Sequence, residues 1–296
     1  MLHEAAMKNA YREALFGTWL SIAINAILGA GKIAAGLLGS SFALVSDGLH
    51  SFSDLATSLA TVIGFHIARK PPDAEHPYGH SRAEAVIGAY VACALGAAGV
   101  WVGYKAVLML GREHELPAAF TLWVAGVSIV IKEALFQYKI RLGRRLRSGS
   151  LIADAWDHRS DAFSAAAVLI GVGLTRYAHW YSADDFATLF VAGTLVWAAI
   201  VLLRDSTNEL MDAQQDPEIL AQLRAAALEA PGVRDVETLW VRKAGLEYFV
   251  DIHIEVDPSL TVRESHEIAS RTRDRLRQAM PTIHDVLVHV EPHERD

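Results

Sequence analysis

Two short stretches of this chain pair metal-ligating residues four apart: His50 and Asp54 in His-Ser-Phe-Ser-Asp, and Asp157 and Asp161 in Asp-His-Arg-Ser-Asp. On an α-helix, four residues turn a side chain by about 400° and raise it about 6 Å, so each pair projects from one face on successive turns. If the two faces meet, one imidazole and three carboxylates converge. Such a donor set, hard to borderline and free of thiolate, suits tetrahedral Zn²⁺ and also accepts Fe²⁺, Mn²⁺, Co²⁺ or Cd²⁺. Isolated polar residues in apolar helices commonly cap or bridge their neighbours. Two identically spaced pairs on two different segments favour a ligand set instead.

Two further clusters have ligand chemistry. Asp73, His76 and His80 fall in a polar loop bent by Pro77 and Gly79. His253 and His289 stand on the polar sides of two alternating segments. If these are neighbouring strands about 4.8 Å apart, both rings and Glu291 can share an ion. Glu237 and His266 are candidates from an adjoining strand and helix. The single cysteine, Cys93, excludes disulfides within the chain and Cys-based metal fingers, so a tightly held metal must use His, Asp and Glu.

The elements that must position the first set are apolar. Hydrophobic residues make up 52% of the 296, against 21% charged, which argues for a membrane protein with a soluble appendage. Apolar stretches recur at residues 15–37, 42–67, 83–110, 117–138, 151–174 and 185–203, each near the roughly 20 residues that cross about 30 Å of hydrocarbon. Six transmembrane helices are the economical reading. His50 and Asp54 then lie in the second span, and Asp157 and Asp161 in the fifth, where an ionisable residue costs about 2.5 to 3.5 kcal/mol on insertion scales. Lys32, Glu84, Lys105, Lys132 and Glu133 are also intramembrane but lack the ligand spacing. Lys105 and Lys132 are expected near helix ends, reaching to the interface. Asp47, His158 and Asp185 are close to the proposed ligands, but the four-residue spacing does not select them. Trp101, Trp123, Trp156, Trp180 and Trp197 read as interfacial or packing aromatics. Lys8, Arg12, Arg69, Lys70, Arg82, Lys139, Arg141, Arg144, Arg145, Arg147 and Arg204 fall on one side, Arg112 and Arg176 on the other. The excess of basic residues on the cytoplasmic side puts both termini there.

After residue 203 the periods are those of a soluble domain: helical spacing at 216–230 and 261–280, and strands at 233–242, 250–257 and 286–291. The order helix, strand, strand, helix, strand fits a small α+β sandwich. Residues 1–14 are polar and show no removable signal peptide. The expected division is a cytosolic N-terminal tail at 1–14, a six-helix transmembrane domain at 15–204, and a cytosolic domain at 205–296. The last carries 19 acids against 10 bases, which gives no support to nucleic-acid binding.

Taken together, the motifs resemble those of the cation diffusion facilitator family of divalent-metal transporters. The resemblance covers nearly the whole chain: the six spans, Ser-Phe-Ala-Leu-Val-Ser-Asp-Gly-Leu-His50-Ser-Phe-Ser-Asp54, His76-Pro-Tyr-Gly-His80, Asp157-His-Arg-Ser-Asp161, and the αββαβ tail. It implies a ferredoxin-like cytosolic domain for metal sensing and dimerisation, a homodimer, and exchange of metal for protons. The transported-metal site maps onto His50, Asp54, Asp157 and Asp161. The loop site maps onto Asp73, His76 and His80, and the tail site onto Glu237, His253, His266, His289 and Glu291. A charge interlock at the membrane face would correspond to Arg82 with Asp212. The implied location is a bacterial inner membrane or one derived from it. Common zinc-transporting members carry His where this chain has Asp157. Iron-loading relatives of magnetosome membranes resemble this chain in having Asp there and His in the second span, which keeps Fe²⁺ open beside Zn²⁺ and Mn²⁺. Glu237 and Glu291 stand where His and Asp occur in well-known bacterial members, leaving the number of metals in the tail open.

The expected activity is export of divalent metal from the cytoplasm, or loading of a compartment, against protons. Three carboxylates crowded in low dielectric should hold protons when no metal is present, and metal entry must displace them. No cofactor is expected beyond the bound divalent ions. The chain has neither His-Glu-x-x-His nor a nucleophile elbow, which argues against an enzyme. The rival is a non-transporting, metal-binding membrane scaffold or sensor.

Overall fold

The computed structural model describes residues 2–68, 70–112, 115–146, 149–245 and 247–293; Arg69 and Arg147, two of the bases read as cytoplasmic, lie outside them. Six long helices come first: α1 (Leu2–Leu38), α2 (Phe42–Ala68), α3 (Ala83–Met109), α4 (Ala119–Leu146), α5 (Gly149–Ala178) and α6 (Ser182–Leu210). They are followed by α7 (Pro217–Leu228), β1 (Asp235–Ala244), β2 (Glu247–Val256), α8 (Val262–Ala279) and β3 (Ile283–Pro292). Helices therefore outrun the apolar stretches that mark them. α4 continues past residue 138 to Leu146, because its Lys, Arg and Leu residues keep good helix propensity after the apolar run has ended.

Among the described residues, four helices are long and apolar enough to cross a membrane: Trp19–Leu38 within α1, α3, Ala119–Arg145 within α4, and α6. α2 and α5, at 27 and 30 residues, have the length but are not among the four. They carry the candidate ligands, and polar residues dilute the apolar run a spanning segment needs.

The chain forms two compact units, residues 1–59 with 90–201, and residues 60–89 with 202–296. In the first, Ala35, Ala43, Leu44, Ala125, Val168, Val172, Ala187 and Val191 make a buried cluster. α1 and α2 approach backbone to backbone: a Cβ on Gly48 would sit 2.9 Å from the Ile33 nitrogen, and one on Gly36 would sit 2.7 Å from the Val45 nitrogen. Small residues are what allow helices this close. The start of α2 is held by Asp184 of α6, whose carboxylate accepts the Phe42 and Ala43 N–H groups and the Ser41 hydroxyl. Those N–H groups have no partner within their own helix, and the acid also complements the helix dipole.

In the second unit, β1 pairs antiparallel with β2, and β2 pairs parallel with β3, giving the order β1-β2-β3. Val250, Ile252, Ile254 and Val256 alternate onto one face of β2, where they are buried with Leu223 and Ala227 of α7 and Ile268 and Leu276 of α8. Thr261 caps α8 in a reciprocal box: its hydroxyl accepts the Glu264 N–H, and the Glu264 carboxylate accepts the Thr261 N–H.

Candidate metal centre

The spacing of four in α2 and α5 does what helical geometry requires. His50, Asp54 and Asp161 each offer a ligand atom, and these atoms lie within 4.8 Å of one another. His50 Nε2 is 3.2 Å from Asp161 Oδ1. Asp161 is buried and Asp54 half-buried, so the group converges in the interior of the first unit. Asp157, one turn before Asp161 on α5, is exposed and stands outside that group of three.

Lys132 is at the same place, and snorkelling is not what it does. With α4 extended to Leu146, Lys132 falls mid-helix, and its side chain has no exposed surface. Its ammonium pairs with Asp161, lies 4.0 Å from Asp54 Oδ2, and donates to Asn25 Oδ1 at 2.9 Å. Lys139, expected as a cytoplasmic loop base, is likewise buried and pairs with Asp154 of α5. Asp47, His158 and Asp185, close to the ligands in sequence, stand outside the group of three. Asp47 meets Lys32 at 2.8 Å, both side chains 1% exposed. His158 Nε2 is 3.1 Å from the Ser21 hydroxyl and its Nδ1 is 3.9 Å from Asp161. Asp185 lines a cavity with Ser41 and Phe42 at the start of α2. The five tryptophans read as interfacial or packing residues all have outward surface, and Trp156 also meets Phe136 with ring centroids 5.5 Å apart and planes tilted by 59°.

In the second unit, Asp73, His76 and His80 come together. Asp73 Oδ1 accepts the His76 N–H at 2.7 Å and the Glu75 N–H at 3.0 Å, His80 Nε2 is 3.5 Å from Asp73 Oδ2, and the two rings are 4.5 Å apart. Gly79, at φ 80°, supplies the left-handed residue that turns His80 back. The backbone N–H of His76 does most to hold the Asp73 carboxyl below its ordinary range.

On the sheet, the parallel register sets His253 directly opposite His289, their rings 4.8 Å apart. Glu291 lies 2.9 Å from His253 Nδ1 and 3.5 Å from His289 Nε2, and Glu237 lies 3.7 Å from His253. Trp240 meets the His253 ring edge to face at 5.8 Å. A hydrogen bond with Glu291 raises the Glu237 carboxyl above its ordinary range, and the same bond lowers that of Glu291. His266 is not brought to this group. It is exposed on α8, the helix that covers the opposite, apolar face of the sheet. Arg82 pairs with Asp212 and also donates to the Leu210 carbonyl at 3.1 Å, while Arg242 stands 3.8 Å from Asp212.

Sequence reasoning selected ligands by spacing and therefore passed over Lys132, Lys32 and Lys139. The usable signal is charge: a lysine in the middle of an apolar run must find an acid, and Asp47, Asp154 and Asp161 are among the acids the long helices carry.

Residues 18–211 match the family model described as the cation efflux transmembrane domain, and residues 215–293 match that of the cation efflux protein, cytoplasmic domain. The manganese efflux system protein MneP of Bacillus subtilis is 32% identical over 93% of this chain and 94% of its own length. The magnetosome protein MamB of Paramagnetospirillum magneticum is 31% identical over 87% of each chain. Metal tolerance protein 2 of Oryza sativa subsp. japonica is 30% identical over 92% of this chain and 76% of its own.

Proposed function

This chain belongs to the cation efflux family of divalent-metal transporters, the cation diffusion facilitators, and on that premise we propose that it moves a divalent metal ion across a membrane in exchange for protons. The observation that carries this reading is the meeting of His50 and Asp54 from α2 with Asp161 from α5 in the interior of the helical unit. Asp157, one turn away on α5, is the proposed fourth ligand. All six long helices cross the bilayer, with residues 1–14 as an N-terminal tail, 15–204 as the transmembrane domain and 205–296 as the cytosolic domain. Both termini are cytoplasmic.

Three carboxylates and one imidazole favour Mn²⁺, Fe²⁺ and Zn²⁺ over softer ions. Mn²⁺ is the first cargo to test, since MneP is named for manganese efflux. Ligands must be deprotonated to bind metal, so a carboxylate-rich site releases protons as it loads and takes them up as it empties. His253, His289 and Glu291, with Glu237 beside them, form a second binding site in the cytosolic domain, and Asp73, His76 and His80 form a third. Metal held there biases the transport cycle, and the Arg82–Asp212 pair ties α3 to the end of α6. The protein acts as a homodimer.

The test is metal uptake into proteoliposomes carrying a metal dye and a pH dye, with Zn²⁺, Fe²⁺ and Mn²⁺ in turn. Metal entry with opposite proton movement, lost in Asp54→Ala, is the expected result. No flux above empty liposomes, with folded and dimeric protein, overturns it and favours the scaffold.

A further inference from the structure

Lys132 occupies the position where the metal's charge belongs. Its ammonium faces two of the three convergent ligands, pairing with Asp161 and standing 4.0 Å from Asp54 Oδ2, and among the described residues it also donates to Asn25 Oδ1 at 2.9 Å. Three helices, α1, α2 and α5, therefore meet at one cation carried by a fourth. The side chain is without exposed surface, so no water replaces any partner it gives up. Lys132 also changes the charge of the centre. Three carboxylates and a neutral imidazole carry three negative charges; with one ammonium the net is two, which a single divalent ion cancels.

We propose that Lys132 is a tethered counter-cation that shares the Asp54 and Asp161 carboxylates with the travelling metal, holding the centre together between cargoes and keeping metal affinity low enough for release. This rests on the reading of His50, Asp54 and Asp161 as the transport site. When metal takes the two carboxylates, the ammonium is left with Asn25, and when metal departs, the ammonium returns. The metal is thus displaced by a charge already in place rather than leaving the two acids without a counter-charge. A site without that competitor would bind more tightly and empty more slowly, and a conducting site must bind weakly enough to let its ion go.

The experiment is Mn²⁺ transport by the full-length protein in liposomes, comparing wild type with Lys132→Gln, Lys132→Arg and Asp54→Ala. Lys132→Gln removes the charge and keeps a donor, so its half-saturating Mn²⁺ concentration should fall at least about tenfold while its maximal rate also falls. Lys132→Arg keeps the charge, and its half-saturation should stay at or above that of wild type. A residue that only supports packing would lower the rate without tightening half-saturation. An unchanged or raised half-saturation in Lys132→Gln, with flux still abolished by Asp54→Ala, overturns the counter-cation. Flux persisting in Asp54→Ala overturns the transport site itself. If Lys132→Gln does not fold, Lys132→Arg decides: a fall in its half-saturation refutes the proposal, and a value held or raised supports it.

Discussion

Asp47→Ala tests the buried electrostatics away from the metal ligands. Lys32 of α1 and Asp47 of α2 meet at 2.8 Å with each side chain 1% exposed, and among the described residues the ammonium also donates to the Ser51 hydroxyl at 3.3 Å. Truncating the acid leaves an ammonium in the interior with one neutral acceptor. Removing one partner of a buried pair costs about 3–5 kcal/mol, whereas replacing both by apolar groups of similar volume is often neutral or stabilising. The order of stabilities follows: wild type and Lys32→Met/Asp47→Leu together at the top, Asp47→Ala well below. At about 2–4 °C per kcal/mol, the single variant should lose about 6–20 °C. Thermal unfolding of the detergent-solubilised protein, followed by tryptophan fluorescence, reads the shift. His50 lies one turn along α2 from Asp47, so Mn²⁺ binding should weaken in the single variant and recover in the double. An Asp47→Ala protein as stable as wild type, or a double variant no better than the single, refutes the pairing.

Other outcomes follow from particular contacts. Gly48→Ala would bring a Cβ to 2.6 Å from Ile33 Cγ1 and 2.9 Å from the Ile33 nitrogen, so unfolding measurements should show a loss of about 1–3 kcal/mol. Thr261→Ala removes the hydroxyl that accepts the Glu264 N–H and should cost about 1 kcal/mol, read by chemical denaturation. The same cap sets a pH dependence. Thr261 contacts hold the Glu264 carboxyl below its ordinary range, so its contribution is present above the ordinary Glu value and is lost as pH falls through the lowered one. In Thr261→Ala, that acid-side loss should shrink. If His253, His289 and Glu291 hold a metal, added Mn²⁺ should raise the melting temperature of the protein, and His253→Ala with His289→Ala should abolish the part of that shift due to this site.

Several features of this protein are legible in one dimension. The four-residue spacing of His50 with Asp54 needs nothing but helix geometry to share a face, and strict alternation in β2 needs nothing but the pleat to separate His253 from Ile252 and Ile254. The order αββαβ follows from those periods. What periodicity leaves undetermined is partnership. His266 has the right chemistry and a helical position near the sheet, yet α8 covers the apolar face, so the ring stands on the other side from His253. Asp157 has the right spacing, but the faces of α2 and α5 meet at Asp161 rather than evenly along both pairs.

Residue type and local period thus determined the ligands on offer and the helices and strands that carry them. Both act over a few neighbouring residues. The pairing of Lys132 with Asp161, of Lys32 with Asp47 and of Lys139 with Asp154 was decided only when helices packed. A buried charge takes whichever opposite charge the packing presents within a few ångströms, and that distance is set by glycine contacts such as Gly36 and Gly48 and by where α4 ends.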